Sequence, residues 1–227
     1  MSAMTGGERR ARRTLTFWIG VAMVLGGVVM LAWVAWQMWG TNWQSKKEQR
    51  RLTASIQQTW QQGGQRLEPR HVPQGEVSAL IRIPKFGKDY VVPVLEGLGD
   101  AVLAKGYGHF PESAHPGQVG NYALAAHRVT HGEPLRRMPE MRPGDEVIVE
   151  TVDRMFTYEL VTDPNDLVIP FTGTWVLDPM PKNPDPGGPQ PANRKGQRLL
   201  TLTTCSELFH TDNRMIAFAT LVGSQAK

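Results

Sequence analysis

From Thr14 to Trp39 the chain runs 26 positions without a charged residue, and only Thr14, Thr16 and Gln37 in that run are polar. In lipid such a stretch is stable as a helix, which satisfies its own backbone hydrogen bonds. At roughly 1.5 Å per residue it exceeds the roughly 30 Å hydrocarbon core, so it can span with some tilt. Trp33, Trp36, Trp39 and Trp43 gather toward one end, where indole rings favour the membrane interface. A cleaved signal peptide is the competing reading. Its apolar region is shorter, however, and no small-residue cleavage signal follows Trp39. The reading adopted is a tail at 1–13 and a retained transmembrane helix at 14–39.

Charge separates this end from the rest. Residues 1–51 hold eight basic and two acidic residues, net +6, which leaves −2 for residues 52–227 of a chain whose overall charge is +4. The basic pI therefore reports the flanks of the apolar segment, a pattern suited to anionic lipid head groups. Nucleic-acid binding needs a basic face on the folded domain and is not expected. Arg9, Arg10, Arg12 and Arg13 lie closer to the apolar run than Lys46, Lys47, Arg50 and Arg51 do. That asymmetry favours a cytoplasmic N-terminus and an extracellular domain.

Trp43 to about Gln62 is polar and free of Pro and Gly, which predicts a helix after the membrane segment. Gly63-Gly64 ends it, and residues 65–75, with Pro69 and Pro73, read as a linker. The catalytic-domain candidate is 76–227. There the pattern changes to short apolar runs broken by Gly, Pro and Asp: Val77–Ile83, Tyr90–Leu95, Tyr122–Ala126, Glu146–Val152, Arg154–Val161, Val168–Ile169, Trp175–Leu177, Leu199–Thr204 and Met215–Val222. Many short strands at close spacing predict an all-β barrel or sandwich. Short helices are predicted at Leu98–Lys105 and Pro134–Met138, and residues 179–197 form a long Pro- and Gly-rich loop.

Cys205 is the only cysteine, so it has no partner for an intrachain disulfide. It ends the run LLTLTTC, where strand alternation puts Thr201, Thr203 and Cys205 on one face. Arg214 opens the next apolar run after an eight-residue connection. If the two runs pair antiparallel, the guanidinium faces the thiol, where it favours thiolate and can hold an oxyanion. A solvated strand-edge charge is the alternative for Arg214. A thiol nucleophile also needs a base, usually histidine. Of six histidines, His71 is in the linker, His210 is in the loop after Cys205, and His109, His115 and His131 lie in Gly/Pro-rich loops. His127 ends the strand NYALAA, so a rigid scaffold would aim its ring into a loop-lined cleft; His131 is the nearest rival. Neither zinc-type ligand spacing nor a phosphate-binding glycine loop is present, and no metal or other cofactor is expected.

In this setting the sequence resembles the sortases, cysteine transpeptidases of Gram-positive cell surfaces. TLTTC at Thr201–Cys205 is similar to the family's TLxTC strand end, Arg214 falls at the family arginine, and His127 in LAAHR at the family histidine. The likeness runs from about Val77 to Gly223. IRIPKFGKDYVVPVLEG, GYGHFPESAHPGQVGNYALAAHR, MRPGDEVIVET and WVLDP most resemble class E, the actinobacterial group. The resemblance implies a closed eight-stranded sortase-type β-barrel with short helices behind an N-terminal transmembrane helix. It also implies that Cys205 attacks the Thr–Gly bond of a C-terminal LAxTG- or LPxTG-like sorting signal on a surface protein. An amine of a peptidoglycan precursor then resolves the thioacyl enzyme. His127 would be acid and then base, and Arg214 would hold substrate backbone and oxyanion. Thr204 and Tyr122 are expected to contribute to substrate binding. No second apolar segment follows, which favours a housekeeping anchoring role.

Two features depart from the family pattern. Ser206-Glu207 follows the cysteine where class E often has His-Pro, and the stretch from Asp166 to Gln197 is long. A membrane-anchored peptide-binding module with a degenerate site and a thiol redox sensor are therefore carried as alternatives. With ordinary values of about 8.5 for Cys and about 6.5 for His, thiolate–imidazolium is outnumbered roughly a hundredfold by thiol–imidazole. A slow enzyme with a bell-shaped pH profile is expected.

Overall fold

The structure is a computed structural model and describes residues 6–36, 40–63, 75–191, 194–206 and 212–227. It divides into two units, Met1–Thr41 and Asn42–Lys227. The first is built on helix α1, Gly6–Ala35. Its window Phe17–Val34 has mean hydropathy 2.2 and none of it is buried within the protein. A helix exposing Phe17, Trp18, Leu31 and Trp33 to its surroundings is suited to lipid rather than water. The predicted linker falls almost wholly outside the described residues, as do Gln37 to Trp39.

The second unit takes in α2, Thr41–Gln61, from its second residue onward and, among the described residues, nine strands. These are β1 Val77–Arg82, β2 Val91–Glu96, β3 Tyr107–His109, β4 Gly120–Ala125, β5 Glu146–Glu150, β6 Arg154–Leu160, β7 Val168–Pro170, β8 Arg198–Cys205 and β9 Asn213–Ala226. Their order is β6-β5-β1-β2-β3-β4-β8-β9-β7, and β6 also pairs with β9. That last pairing closes an eight-stranded barrel and leaves β7 as an extra strand on β9. Closure removes the free edges an open sheet would leave. Strand β9 is long because it serves three partners, β8 and β7 near its start and β6 from Ala219 to Ala226.

Alternation sorts β8 and β9 between two cores. Leu200, Leu202, Met215, Ala217 and Ala219 join Tyr122, Leu124 and Tyr158 inside the barrel. Ile216 and Phe218 point outward and are covered by Leu167 and Val176. The cover comes from a 3-10 turn at Thr174–Leu177, which the sequence presented as a strand. Beneath it, Thr201 Oγ1 donates to Asn121 Oδ1 at 2.6 Å, and Asn121 Nδ2 donates to the carbonyls of Val176 and Asp178 at 2.9 and 3.1 Å. A buried amide thus fixes a loop against the outer face of the sheet.

Two further elements differ from expectation. Pro134–Met138 is a series of turns leading to a 3-10 turn at Met138–Glu140. Tyr107–His109, read as loop, is a strand: glycine lets it come close to β2, since a Cβ on Gly106 would lie 2.2 Å from the Pro93 carbonyl oxygen. The expected helix at Leu98–Lys105 forms over Asp100–Leu103, here α3. Leu202→Ala empties a fully buried site and should cost about 2–5 kcal/mol in equilibrium denaturation. The exposed Val222→Ala should change stability by less than about 0.5 kcal/mol.

Candidate active site

Strands β4 and β8 run parallel in register, with Ala125 opposite Thr203. His127 and Cys205 each lie two residues beyond that pair, so the parallel ladder delivers both to the same level at the barrel rim. Strand β9 then runs antiparallel to β8 with Cys205 opposite Arg214. Histidine, cysteine and arginine therefore stand at the rim ends of three successive strands, with cysteine and arginine paired as the antiparallel reading of their runs anticipated.

The strand ends are tied beyond the ladder itself. Ala126 N donates to the Thr203 carbonyl at 3.1 Å, and Thr204 Oγ1 donates back to the Ala126 carbonyl at 2.7 Å. Arg128 Nη1 donates to the carbonyl of Ser206, just past the cysteine. The peptide carbonyl of His127 accepts from Leu135 N at 3.0 Å. Glu207 and His210 lie outside the described residues.

Cys205 and Arg214 are half-buried and open into a groove of about 280 Å³ that His127 also lines. Thr203 and Thr204 form part of its floor, while Ile169, Phe171, Val176 and Leu177 make an apolar wall. That wall is the stretch the sequence marked as long. Tyr122 does not belong here. It is 1% exposed and packs in the barrel interior, its ring 4.9 Å from the His109 ring and tilted by 49°. Alternation along β4 gives the reason: Tyr122 and Leu124 point inward, so the outer side belongs to Ala123 and Ala125, and Ala125 lines the groove.

His127 is held in an environment that discourages protonation. Burial and the neighbouring His131 push its imidazole down to about 4, against a smaller opposing pull from Asp100. The two rings lie 4.6 Å apart, tilted by 30°. Thr130 Oγ1 is 3.4 Å from His127 Nδ1 and 3.0 Å from His131 Nδ1. His131, the nearest rival in the sequence, stands beside the His127 ring, and of the two His127 is the one that lines the groove.

These observations meet the comparisons with known proteins. The sortase-domain family profile matches residues 81–222. The chain belongs to the sortase family. It is 36% identical over 214 residues to Sortase SrtE1 of Streptomyces coelicolor, covering 90% of this chain and 56% of that relative. The chain therefore spans little more than half the length of that curated relative. Among solved structures, sortase E of Streptomyces avermitilis superposes with a TM-score of 0.58 at 38% identity, covering 68% of this chain and 93% of that one. Sortase E1 of Streptomyces coelicolor, solved with a tripeptide in its active site, gives 0.54 at 33% identity, covering 69% and 94%. Class E is where the sequence motifs had pointed.

A second polar cluster, unnoticed in the sequence, sits away from the groove. Glu96 from β2, His109 from β3 and His115 from the loop after it bring potential metal-donor atoms within 4.8 Å of one another. No regular spacing announces it, because three separate segments build it. His109 Nδ1 is 2.7 Å from Glu96 Oε2, and its Nε2 is 3.1 Å from the Ala114 carbonyl. Burial raises the Glu96 carboxyl, but the bond to His109 and its charge outweigh this and hold it below the usual range. Both nitrogens of the ring are thus engaged, with Ser113 Oγ also 3.0 Å from Nε2.

The tuning of His127 can be read directly by NMR titration of its ring. With His131→Ala, one of the two influences that lower His127 is removed, so its midpoint should rise from about 4 toward the ordinary 6.5.

Proposed function

We propose that this chain is a membrane-anchored cysteine transpeptidase whose residues Cys205, His127 and Arg214 carry the reaction. The observation that supports this most is the register of β4, β8 and β9, which brings the three to one level at the mouth of a groove. The substrate is a surface protein bearing an LAxTG- or LPxTG-like signal, cleaved between Thr and Gly. The apolar wall from Ile169 to Leu177 suits the apolar residues that begin such a signal. The apolar helix at 14–39 anchors the chain, with the tail at 1–13 cytoplasmic and the domain at 76–227 extracellular.

In this mechanism the Cys205 thiolate attacks the threonine carbonyl carbon, and the Arg214 guanidinium stabilises the resulting oxyanion. Collapse breaks the C–N bond while imidazolium at His127 protonates the departing glycine amine. The thioester then waits for an amine of a cell-wall precursor. His127, now neutral, takes a proton from the attacking nitrogen, and the amide forms as thiolate leaves. A ring that titrates at about 4 is a strong acid toward an amine. The cost is abundance, since roughly one ring in a thousand is protonated at pH 7. Low turnover follows from that scarcity.

Mass spectrometry of the full chain with a sorting-signal peptide tests the proposal. A thioacyl adduct on Cys205 is expected, absent in Cys205→Ala. His127→Ala should slow its formation by about 10²–10⁴-fold and Arg214→Ala by about 10²–10³-fold. Bound peptide without an adduct would instead support a binding module, and sulfenylation alone a redox sensor.

A further inference from the structure

The loop that follows His127 is held in an unusual backbone conformation, and the helix holding it comes from the other end of the domain. His131, Gly132 and Glu133 have φ values of 53°, 83° and 54°. Three consecutive left-handed residues, two of them with side chains, cost of order 1–3 kcal/mol at each non-glycine position and persist only when their surroundings impose them. Here the surroundings are α2. Asn42 Oδ1 accepts from Gly132 N at 3.0 Å, while Asn42 Nδ2 donates to Glu133 Oε1 at 3.0 Å and to the Val129 carbonyl at 3.4 Å. One turn on, Lys46 Nζ lies 3.8 Å from Glu133 Oε2. A turn further, Gln49 Nε2 donates to the His131 carbonyl at 3.1 Å, and Gln49 is itself buried. The spacing 42, 46, 49 puts all three on one helix face. The fit leaves little room, as a Cβ on Gly132 would come within 2.6 Å of Gln49 Nε2.

We infer that Asn42 and Gln49 are positioning residues for His127, acting through the 129–133 loop whose Thr130 and His131 side chains face the His127 ring. The chain of contact is continuous: α2 fixes Gly132 and the His131 carbonyl, and the same turn fixes where the His131 ring and the Thr130 hydroxyl stand. Among the described residues, none of α2 lines the groove. The helix that follows the apolar segment in sequence thereby sets the geometry of the acid–base residue, and the barrel alone does not complete the site. The inference rests on the proposed role of His127. Charged and titratable groups around that ring are His131 on the loop, Asp100 on α3, Cys205 on β8, Arg214 on β9 and the adjacent Arg128. From α2 the loop meets Lys46, already paired with Glu133.

The test uses the full chain in detergent or nanodiscs, with Asn42→Ala, Gln49→Ala, the exposed Gln58→Ala as control, and His127→Ala. Steady-state transpeptidation and NMR titration of the His127 ring are measured on each. Asn42→Ala and Gln49→Ala should each lower kcat roughly tenfold with KM within about twofold, because the groove is intact and only alignment is lost. The His127 titration midpoint should move in the same two variants and stay in place in Gln58→Ala. Wild-type kcat and an unmoved titration, with His127→Ala inactive, would overturn the positioning role alone. So would lost activity that tracks a lower melting temperature with the titration unmoved, since that is a stability effect. An active His127→Ala would remove the proposed catalytic role and this inference with it.

Discussion

A parallel strand pair cannot be closed by a short hairpin, and the site depends on that restriction. Strands β4 and β8 are hydrogen-bonded neighbours, yet 72 residues lie between the end of β4 at Ala125 and the start of β8 at Arg198. Parallel pairing of this kind demands a long crossover. The intervening chain contributes β5, β6, β7 and the 3-10 turn at Thr174–Leu177. The crossover is therefore also the source of the groove wall. Because both strands point the same way, both end at the same rim, and His127 and Cys205 emerge together. An antiparallel arrangement would have put the two side chains at opposite ends of the barrel.

What the crossover costs in loop-closure entropy, burial on both faces of β8 offsets. Leu200 and Leu202 fill the barrel, while the outward Thr201 is sealed by Asn121 and the turn above it. This double burial explains why the strand carrying Cys205 reads as apolar and Thr-rich without clean alternation. Threonine serves both needs, with a methyl for packing and a hydroxyl that reaches Asn121 at Thr201 and the Ala126 carbonyl at Thr204.

Much of this was legible before the structure. The cysteine strand, its antiparallel arginine and the strand-end histidine were set by local pattern, and the resemblance in TLTTC and LAAHR converged on the same residues. The failures share a cause. Trp175–Leu177 is apolar like a strand, but its side chains cover a sheet from outside instead of joining it. Tyr122 lies one position away from the groove-facing side of β4, and a one-residue offset reverses the face. The cluster of Glu96, His109 and His115 depends on contacts between separate segments that no spacing rule encodes, and the approach of the His131 ring to His127 depends on the turn between them. Left-handed backbone at His131 and Glu133 has no sequence signal either, since only Gly132 between them hints at it.

The same local costs that hid from the sequence are concentrated around one ring. His127 is partly desolvated, crowded by a second imidazole and followed by a strained turn. For stability the sign is unfavourable at low pH: an unfolded chain binds a proton near 6.5, whereas the folded ring resists it until about 4. Stability is therefore lost as pH falls through that window. Glu96 acts in the same direction, because its carboxyl is held below its ordinary range by His109 and its contribution fades as it protonates. A fold selected for stability alone would relax both the turn and the ring stacking. In the proposed mechanism both serve a weakly basic imidazole, a strong acid beside the leaving amine. The barrel supplies the rigidity, and α2 supplies the contacts that keep the turn from relaxing.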